Sequence, residues 1–259
     1  MITSTQNPKI KQVRQLLTQT KARKKQQAFV LEGIRLLEEA INTPFTPEVV
    51  LYTEELEERG LSLVKEFMTR GVSCELTAQD VFNSTCDTET PQGILAVYPL
   101  FSIPLADTAD FLLIVDEIRD PGNLGTLFRT ALAAEIDGVL LSPGTVDSFS
   151  PKVVRAAMGA HFHLPVISMS WEEIKKTTRG LTLYLADMNE GSSFWQTDLT
   201  IPLGMILGGE AHGPGKSARA LTDKLLHIPM NENSESINAA AAGAVLMFEV
   251  RRQRTIGNN

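Results

Sequence analysis

Three polar loops carry residue types and spacings that could do chemistry. The first, Asp116-Glu-Ile-Arg-Asp-Pro-Gly-Asn123-Leu-Gly125-Thr-Leu-Phe-Arg129-Thr-Ala, follows the apolar run Phe111–Val115. Asn123 and Gly125 fall at a turn, and Arg129 lies one helical turn beyond Gly125, tilted back toward the loop. As a site this aims a guanidinium at the loop; as plain structure it is a helix N-terminus with an Arg–Asp pair. The second loop, Leu207-Gly208-Gly209-Glu210-Ala211-His212-Gly213-Pro214-Gly215-Lys216-Ser217, follows Met205-Ile-Leu. Its Gly-Lys-Ser end imitates a nucleotide phosphate loop, but the spacing fails. Glu210 stands where that loop needs glycine, a carboxylate there repels phosphate, and Pro214 removes an amide from the nest. Gly213 to Ala218 also imitates a dinucleotide fingerprint, late in the chain and as a lone match. The third loop, Ile228-Pro-Met230-Asn-Glu-Asn-Ser-Glu-Ser236-Ile237-Asn238, runs into Ala239-Ala-Ala-Ala-Gly-Ala-Val-Leu-Met-Phe248. Ser236 and Asn238 at its mouth suit helix capping. His161 and His163 could share a strand face and join His212, but no third ligand stands at short spacing, so no metal is expected.

Each of these loops follows, or leads out of, an apolar run. In an open parallel sheet, ligands bind beyond the carboxyl ends of the strands. The runs Phe111–Val115, Gly138–Ser142, Leu181–Ala186 and Pro202–Leu207 alternate with helical stretches, which predicts a parallel sheet with helices on both faces. The helix from Ala239 is nearly apolar for over two turns and must bury itself against sheet, helix or a partner chain. Upstream, Ile10, Val13, Leu16 and Leu17 predict a helix over 9–25, followed by a strand running into a helix over 29–42. Strand Val49–Tyr52, an acidic helix from about 54 to 69, and strands near Val72–Leu76 and Ile94–Tyr98 complete a small α/β domain. Loss of periodicity and two prolines mark a linker. The expected organisation is a small α/β domain over 1–98, a linker over 99–108 and a parallel-sheet domain over 109–259.

Composition narrows the classes. With 259 residues, 43% hydrophobic and 21% charged, the chain can bury a core, which argues against disorder, and no stretch approaches the ~20 apolar residues of a membrane span. No membrane partner is expected. The N-terminus lacks a signal-peptide core, and Cys74 and Cys86 are in no Cys-x-x-Cys spacing, so the cytoplasm is the expected setting. Net charge is −7, yet residues 1–35 alone carry +7 through Lys9, Lys11, Arg14, Lys21, Arg23, Lys24, Lys25 and Arg35 against Glu32. Such a cluster on an acidic chain points to a polyanion docked at one end, with a solvated helix face as the plainer reading. Lys9, Arg14, Arg23, Lys24, Lys25 and Arg35 are the candidate contacts to such a polyanion, RNA or DNA.

Taken together, the three loops resemble the SpoU (TrmH) family of RNA 2′-O-ribose methyltransferases, within the SPOUT superfamily. The family's Asn-x-Gly-x-x-x-Arg-Thr-Ala is met by Asn123, Gly125, Arg129, Thr130 and Ala131. Its Leu-Gly-x-Glu-x-x-Gly is met by Leu207, Gly208, Glu210 and Gly213. Its Ile-Pro-Met followed by Ser-Leu-Asn is met by Ile228, Pro229, Met230, Ser236 and Asn238, with Ile237 for Leu. Residues 150–160 are similar to the stretch between the first two motifs. Asn7-Pro-Lys-Ile, Phe29-Val-Leu-Glu-Gly33 and Pro91-Gln-Gly-Ile-Leu-Ala-Val97 are similar to the substrate-binding domain of many members. Two positions depart: Glu232 stands where glycine is usual, and Ala240 where serine is usual.

The resemblance implies an α/β fold whose C-terminal parallel-sheet domain carries a deep trefoil knot, with residues near 207–238 threading one another. It implies an S-adenosyl-L-methionine-dependent methyltransferase acting on RNA, ribosomal RNA ahead of tRNA. The cofactor would be held mostly by main chain at Leu207, Gly208, Gly209, Ile228, Met230, Ser236, Ile237, Asn238 and Ala239. Arg129 is the implied catalytic actor, supported by Asn123, Glu210, Ser236 and Asn238. A homodimer through the C-terminal domain is expected from the apolar terminal helix. Two rival readings are an RNA-binding protein with a vestigial methyltransferase site and the nucleotide-binding enzyme suggested by Gly-Lys-Ser.

Overall fold

The computed structural model of the chain describes residues 1–188, 190–209, 213–231, 233 and 236–257. The chain forms two compact units, Met1–Phe101 with Phe149–Phe162, and Ser102–Ser148 with His163–Asn259.

In the first unit, α1 (Pro8–Thr18) starts at Asn7, whose side chain accepts from the Lys9 amide at 2.9 Å, with Pro8 in the first turn. It buries Ile10, Val13, Leu16 and Leu17. The single helix expected over 9–25 is in fact two. Gln19 is extended (φ −128°, ψ 111°) and α2 (Thr20–Gln26) starts afresh. The apolar face that holds α1 ends at Leu17, and α2 is fastened differently: buried Arg23 donates to the Leu16 carbonyl and to Thr20 Oγ1. That guanidinium satisfies a carbonyl in the last turn of α1 that has no helical partner.

There follow β1 (Ala28–Glu32), α3 (Ile34–Ile41), β2 (Val49–Tyr52), α4 (Glu58–Thr69), β3 (Ser73–Leu76), α5 (Gln79–Asn83) and β4 (Ile94–Pro99). The sheet order is β1-β4-β2-β3, antiparallel except for β2 with β3. Alternation sorts the strands onto two cores. Phe29, Leu31, Ile94, Ala96 and Tyr98 face α3 and α4 residues such as Leu37 and Phe67, while Ala28, Val30, Leu95 and Val97 face the α1 residues. A sheet covered on both faces is why β1 and β4 read as continuous apolar runs.

The second unit runs β5 (Phe111–Asp116), α6 (Pro121–Ala133) and β6 (Gly138–Leu141); α7 (Pro151–Ala157) then belongs to the first unit. Val154 and Phe162 share the core of Phe29 and Tyr98, and the Phe149 ring lies 4.8 Å from that of Phe29. The stretch 149–162, expected in the parallel-sheet domain, is thus held by the other unit's aromatic core. The chain continues through β7 (Val166–Ser168), α8 (Trp171–Thr177), β8 (Thr182–Asp187), β9 (Ser192–Ser193), β10 (Leu203–Gly208), α9 (Lys216–Leu221), β11 (Lys224–His227) and α10 (Ala239–Gly257). These strands form an all-parallel sheet in the order β7-β6-β5-β10-β8-β11-β9. The order runs outward from β5 through β6 to β7 on one side, and on the other side β10, late in the chain, is inserted beside β5. That reversal is the place where a doubly wound sheet opens a crevice. Among the described residues no helix is long and apolar enough to cross a membrane.

Candidate active site

The site is built where α6 and α10 start. Asp120 caps α6, its carboxylate accepting from the Asn123 amide at 2.8 Å, and Pro121 presets the first turn. Asn238 caps α10, its Oδ1 accepting from the amides of Ala240 (2.9 Å) and Ala241 (3.2 Å). The capping role that the sequence allowed for Asn238 is therefore real, and it has a second half. Asn238 Nδ2 donates to Asn123 Oδ1 at 2.9 Å, across 115 positions of sequence. Two helix N-termini are tied together, so their partial positive charges favour an anion nearby. Arg129, six residues into the helix from Asn123, is exposed and makes no hydrogen bond or ion pair among the described residues. It is the available cation on this helix.

Beyond the carboxyl ends of β8, β10 and β11 lies a cavity of about 440 Å³. Leu207, Gly208, Gly209, Ile228, Met230, Ser236, Ile237 and Ala239, all named from sequence as cofactor residues, line it; Asn238 does not and stands instead at the α6–α10 tie. Small residues are required here by close approach. A Cβ on Gly208 would sit 2.6 Å from the Pro214 nitrogen, and one on Gly209 would sit 2.7 Å from the Glu117 carbonyl oxygen. Ala240, where the family pattern has serine, is buried and contributes its amide to the Asn238 cap. Glu210, His212 and Glu232 lie outside the described residues.

Sequence reasoning missed part of the wall: Ala186, Asp187 and Met188 at the end of β8, Pro214, and Arg219 on α9. Asp187 and Arg219 form an ion pair at 3.1 Å and are the charged side chains among the described lining residues. The rule about strand ends applied to Leu181–Ala186 would have pointed to Asp187. It could not have found Arg219, whose helix carries no signal beyond the rejected Gly-Lys-Ser.

The basic N-terminal cluster divides. Lys9 pairs with Glu75, Arg14 donates to the Ser84 carbonyl (3.1 Å) and Oγ (2.9 Å), and Arg23 is buried under α1. Lys11, Lys21, Lys24, Lys25 and Arg35 are exposed. Arg23 therefore braces a helix junction and is too deeply buried to meet a polyanion, which corrects the expectation that it joins the surface contacts. The cysteines offer no nucleophile: burial pushes the Cys74 thiol up to about 11, and burial with nearby Glu32 and Asp87 pushes Cys86 up as well. His161 is buried against Phe149 while His163 is exposed, and among the described residues no cluster could hold a metal.

The profile of the SpoU rRNA methylase family matches residues 110–248, and that of an MRM3-like substrate binding domain matches residues 7–96. The chain is 34% identical over 254 residues to the 23S rRNA (guanosine(2553)-2′-O)-methyltransferase of Bacillus subtilis, covering 96% of this chain and 98% of that one. Among solved structures it is similar to an AdoMet-bound rRNA methyltransferase from Sinorhizobium meliloti (TM-score 0.86, 27% identity, 97% of each chain). It is also similar to the SpoU methyltransferase AviRb of Streptomyces viridochromogenes in complex with AdoMet (TM-score 0.84, 25% identity, 97% and 100% of the two chains). With three motifs gathered at one crevice and a family profile spanning more than half its length, the chain belongs to the SpoU rRNA methylase family.

Proposed function

We propose that this chain methylates a ribose 2′-hydroxyl of ribosomal RNA, with a guanosine of 23S rRNA as the first target to examine, given the named activity of the Bacillus subtilis relative. As a SpoU-family member it is an S-adenosylmethionine-dependent RNA methyltransferase. The observation that carries the reading is the glycine-walled cavity beside the Asn123–Asn238 tie. The cavity suits the cofactor: its volume lies in the range of small-molecule sites, and its described walls are mostly apolar side chains and glycine main chain, with the Asp187–Arg219 pair as their charged part. Leu207 to Gly209, Ile228, Met230 and Ser236 to Ala239 would hold it.

When bound, the cofactor supplies an electrophilic methyl group on a sulfonium. What remains for the protein is to align the ribose hydroxyl and help its proton leave. Asn123 and Asn238 fix the two helix starts that frame the crevice. A guanidinium offers five donors and no acceptor, so Arg129 serves best by holding the neighbouring phosphate and stabilising the developing oxyanion. The free lysines of α1 and α2 supply sequence-independent phosphate contacts. An rRNA substrate agrees with the cytoplasmic setting expected from the sequence.

Two finer features belong to the same reading. The first is a trefoil knot in the 207–238 region, supported by the insertion of β10 between β5 and β8 and by the close pass of Gly209 over Glu117. The second is a homodimer through the C-terminal unit, supported by the exposed apolar side chains Val245 and Phe248 on α10 and Leu132 on α6, which a second copy would cover. The test is chemical. The purified chain, labelled S-adenosylmethionine and rRNA from cells lacking the gene should yield label in an alkali-stable dinucleotide, because a methylated 2′-oxygen cannot attack the adjacent phosphodiester. Label released with a free base or a mononucleotide would refute ribose methylation.

A further inference from the structure

Asp116 is the last residue of β5, buried to 2% exposure, and no step of the chemistry above uses it. Its two carboxylate oxygens are both engaged by groups distant in sequence. Oδ1 accepts from the Ser142 hydroxyl at 3.0 Å, just past the end of β6, and Oδ2 accepts from the Gly215 amide at 2.7 Å, at the start of α9. In the sheet register Asp116 lies opposite Gly208, which lines the cavity. One buried carboxylate therefore joins the ends of β5 and β6 to the far end of the segment that leaves β10.

Of that segment, the described residues Gly209, Gly213 and Pro214 line the cavity. Its near end is pressed against the main chain of Glu117, which takes the left-handed φ of 52°, unusual for a residue with a side chain. Gly209 and Gly213 also form an isolated bridge. Gly209 and Gly213 are thus paired with each other, and Gly215 is fastened by Asp116. We propose that Asp116 is a positioning residue for cofactor binding: its carboxylate holds the wall made by Gly213 and Pro214 at the spacing the cofactor needs, acting through the adjoining Gly215 rather than by touching the cofactor. This rests on the cofactor reading of the cavity.

The roles of shape and charge can be separated. Asp116→Asn keeps an acceptor for the Gly215 amide, and its new NH₂ can donate to Ser142 Oγ, whose own proton has the Pro143 carbonyl 3.3 Å away. Asp116→Ala leaves the half-buried Gly215 amide and the buried Ser142 hydroxyl without that partner. Gly215→Pro removes the same tether from the other side: the φ of −68° suits proline, but its ring carbon takes the place of the proton facing Asp116 Oδ2 and pushes the two apart. In the full-length protein, Asp116→Ala and Gly215→Pro should each raise the KM for S-adenosylmethionine and the Kd for S-adenosylhomocysteine about tenfold. Asp116→Asn should stay within about threefold of wild type in both, which a charge contact with the sulfonium would not allow. A folded Asp116→Ala or Gly215→Pro variant with wild-type KM overturns the proposal, as does an Asp116→Asn variant that folds but binds as weakly as the alanine. Should the alanine not fold, the proline and asparagine variants still decide. If the wild type binds neither cofactor form, the cofactor reading itself falls; wild-type binding with unchanged variants defeats the positioning role alone.

Discussion

Arg129 and Asn238 illustrate how differently two residues of one motif set can work. Arg129 stands free on an exposed face of α6, so its truncation disturbs no packing. Arg129→Ala should lower the single-turnover methyl-transfer rate by ~10²–10³, about 3–4 kcal/mol, with cofactor affinity nearly unchanged because other loops line the cavity. Arg129→Lys keeps charge but loses the planar fork, so its rescue measures how far charge alone suffices. A rate for the alanine variant within about threefold of wild type would remove Arg129 from catalysis. Asn238 carries two duties at once, and its aspartate variant divides them. Asn238→Asp keeps the acceptor that caps α10 and should melt like wild type, while Asn238→Ala should cost about 1 kcal/mol of stability. Both lose the donor to Asn123, so both should slow methyl transfer. Full activity in Asn238→Asp would show that the tie is dispensable. These two residues were legible in sequence because their motif is local. Asp116 and Arg219 were not, because what gives them meaning is a contact made 26 to 99 positions away or a cavity wall assembled from several strands.

At the scale of elements, α10 shows what a sequence pattern can and cannot say. Its apolar start predicted burial, and Ala240, Leu246, Met247 and Val250 are buried, but Val245 and Phe248 are not. Gly243 decides how closely it packs: a Cβ there would fall 2.5 Å from Leu127 Cδ2 on α6 and 2.7 Å from Leu207 Cδ1 on β10. Both are ends of flexible side chains. Gly243→Ala should therefore be nearly neutral in thermal melts, the helix-propensity gain of about 1 kcal/mol offsetting the displacement, whereas Gly243→Val should cost about 1–3 kcal/mol. A valine variant as stable as wild type would mean the helices part readily. The long apolar strands were readable because both faces are covered. The break at Gln19 was not, since a buried arginine fastening α2 looks in sequence like one more solvated cation. Nor was β11, where Leu226 is the sole buried residue of four and the strand owes its existence to its neighbours β8 and β9.

For the whole molecule, charge is unevenly distributed across an acidic chain, and the proposed RNA contact rests on that distribution. The cation set to test for RNA contact is Lys21, Lys24 and Lys25, exposed on α2, rather than one including Arg23. Reversing those three lysines to glutamate should weaken rRNA binding and flatten its salt dependence, while leaving cofactor affinity intact. Unchanged RNA affinity would move the contact elsewhere. Segment 149–162 shows why the division into units was only partly legible: its motif-like sequence suggested one unit, and its aromatic side chains commit it to the other. The central claim, that this chain places a methyl group on an rRNA ribose, is met most directly by a ribose-methylation map of total rRNA. It would be taken from cells lacking the gene and from the same cells restored with wild-type or Arg129→Ala protein. The account predicts one 2′-O-methyl position in 23S rRNA that is absent without the gene, returns with the wild type and fails to return with the variant. A map with no ribose position changed, or one fully restored by Arg129→Ala, would contradict it.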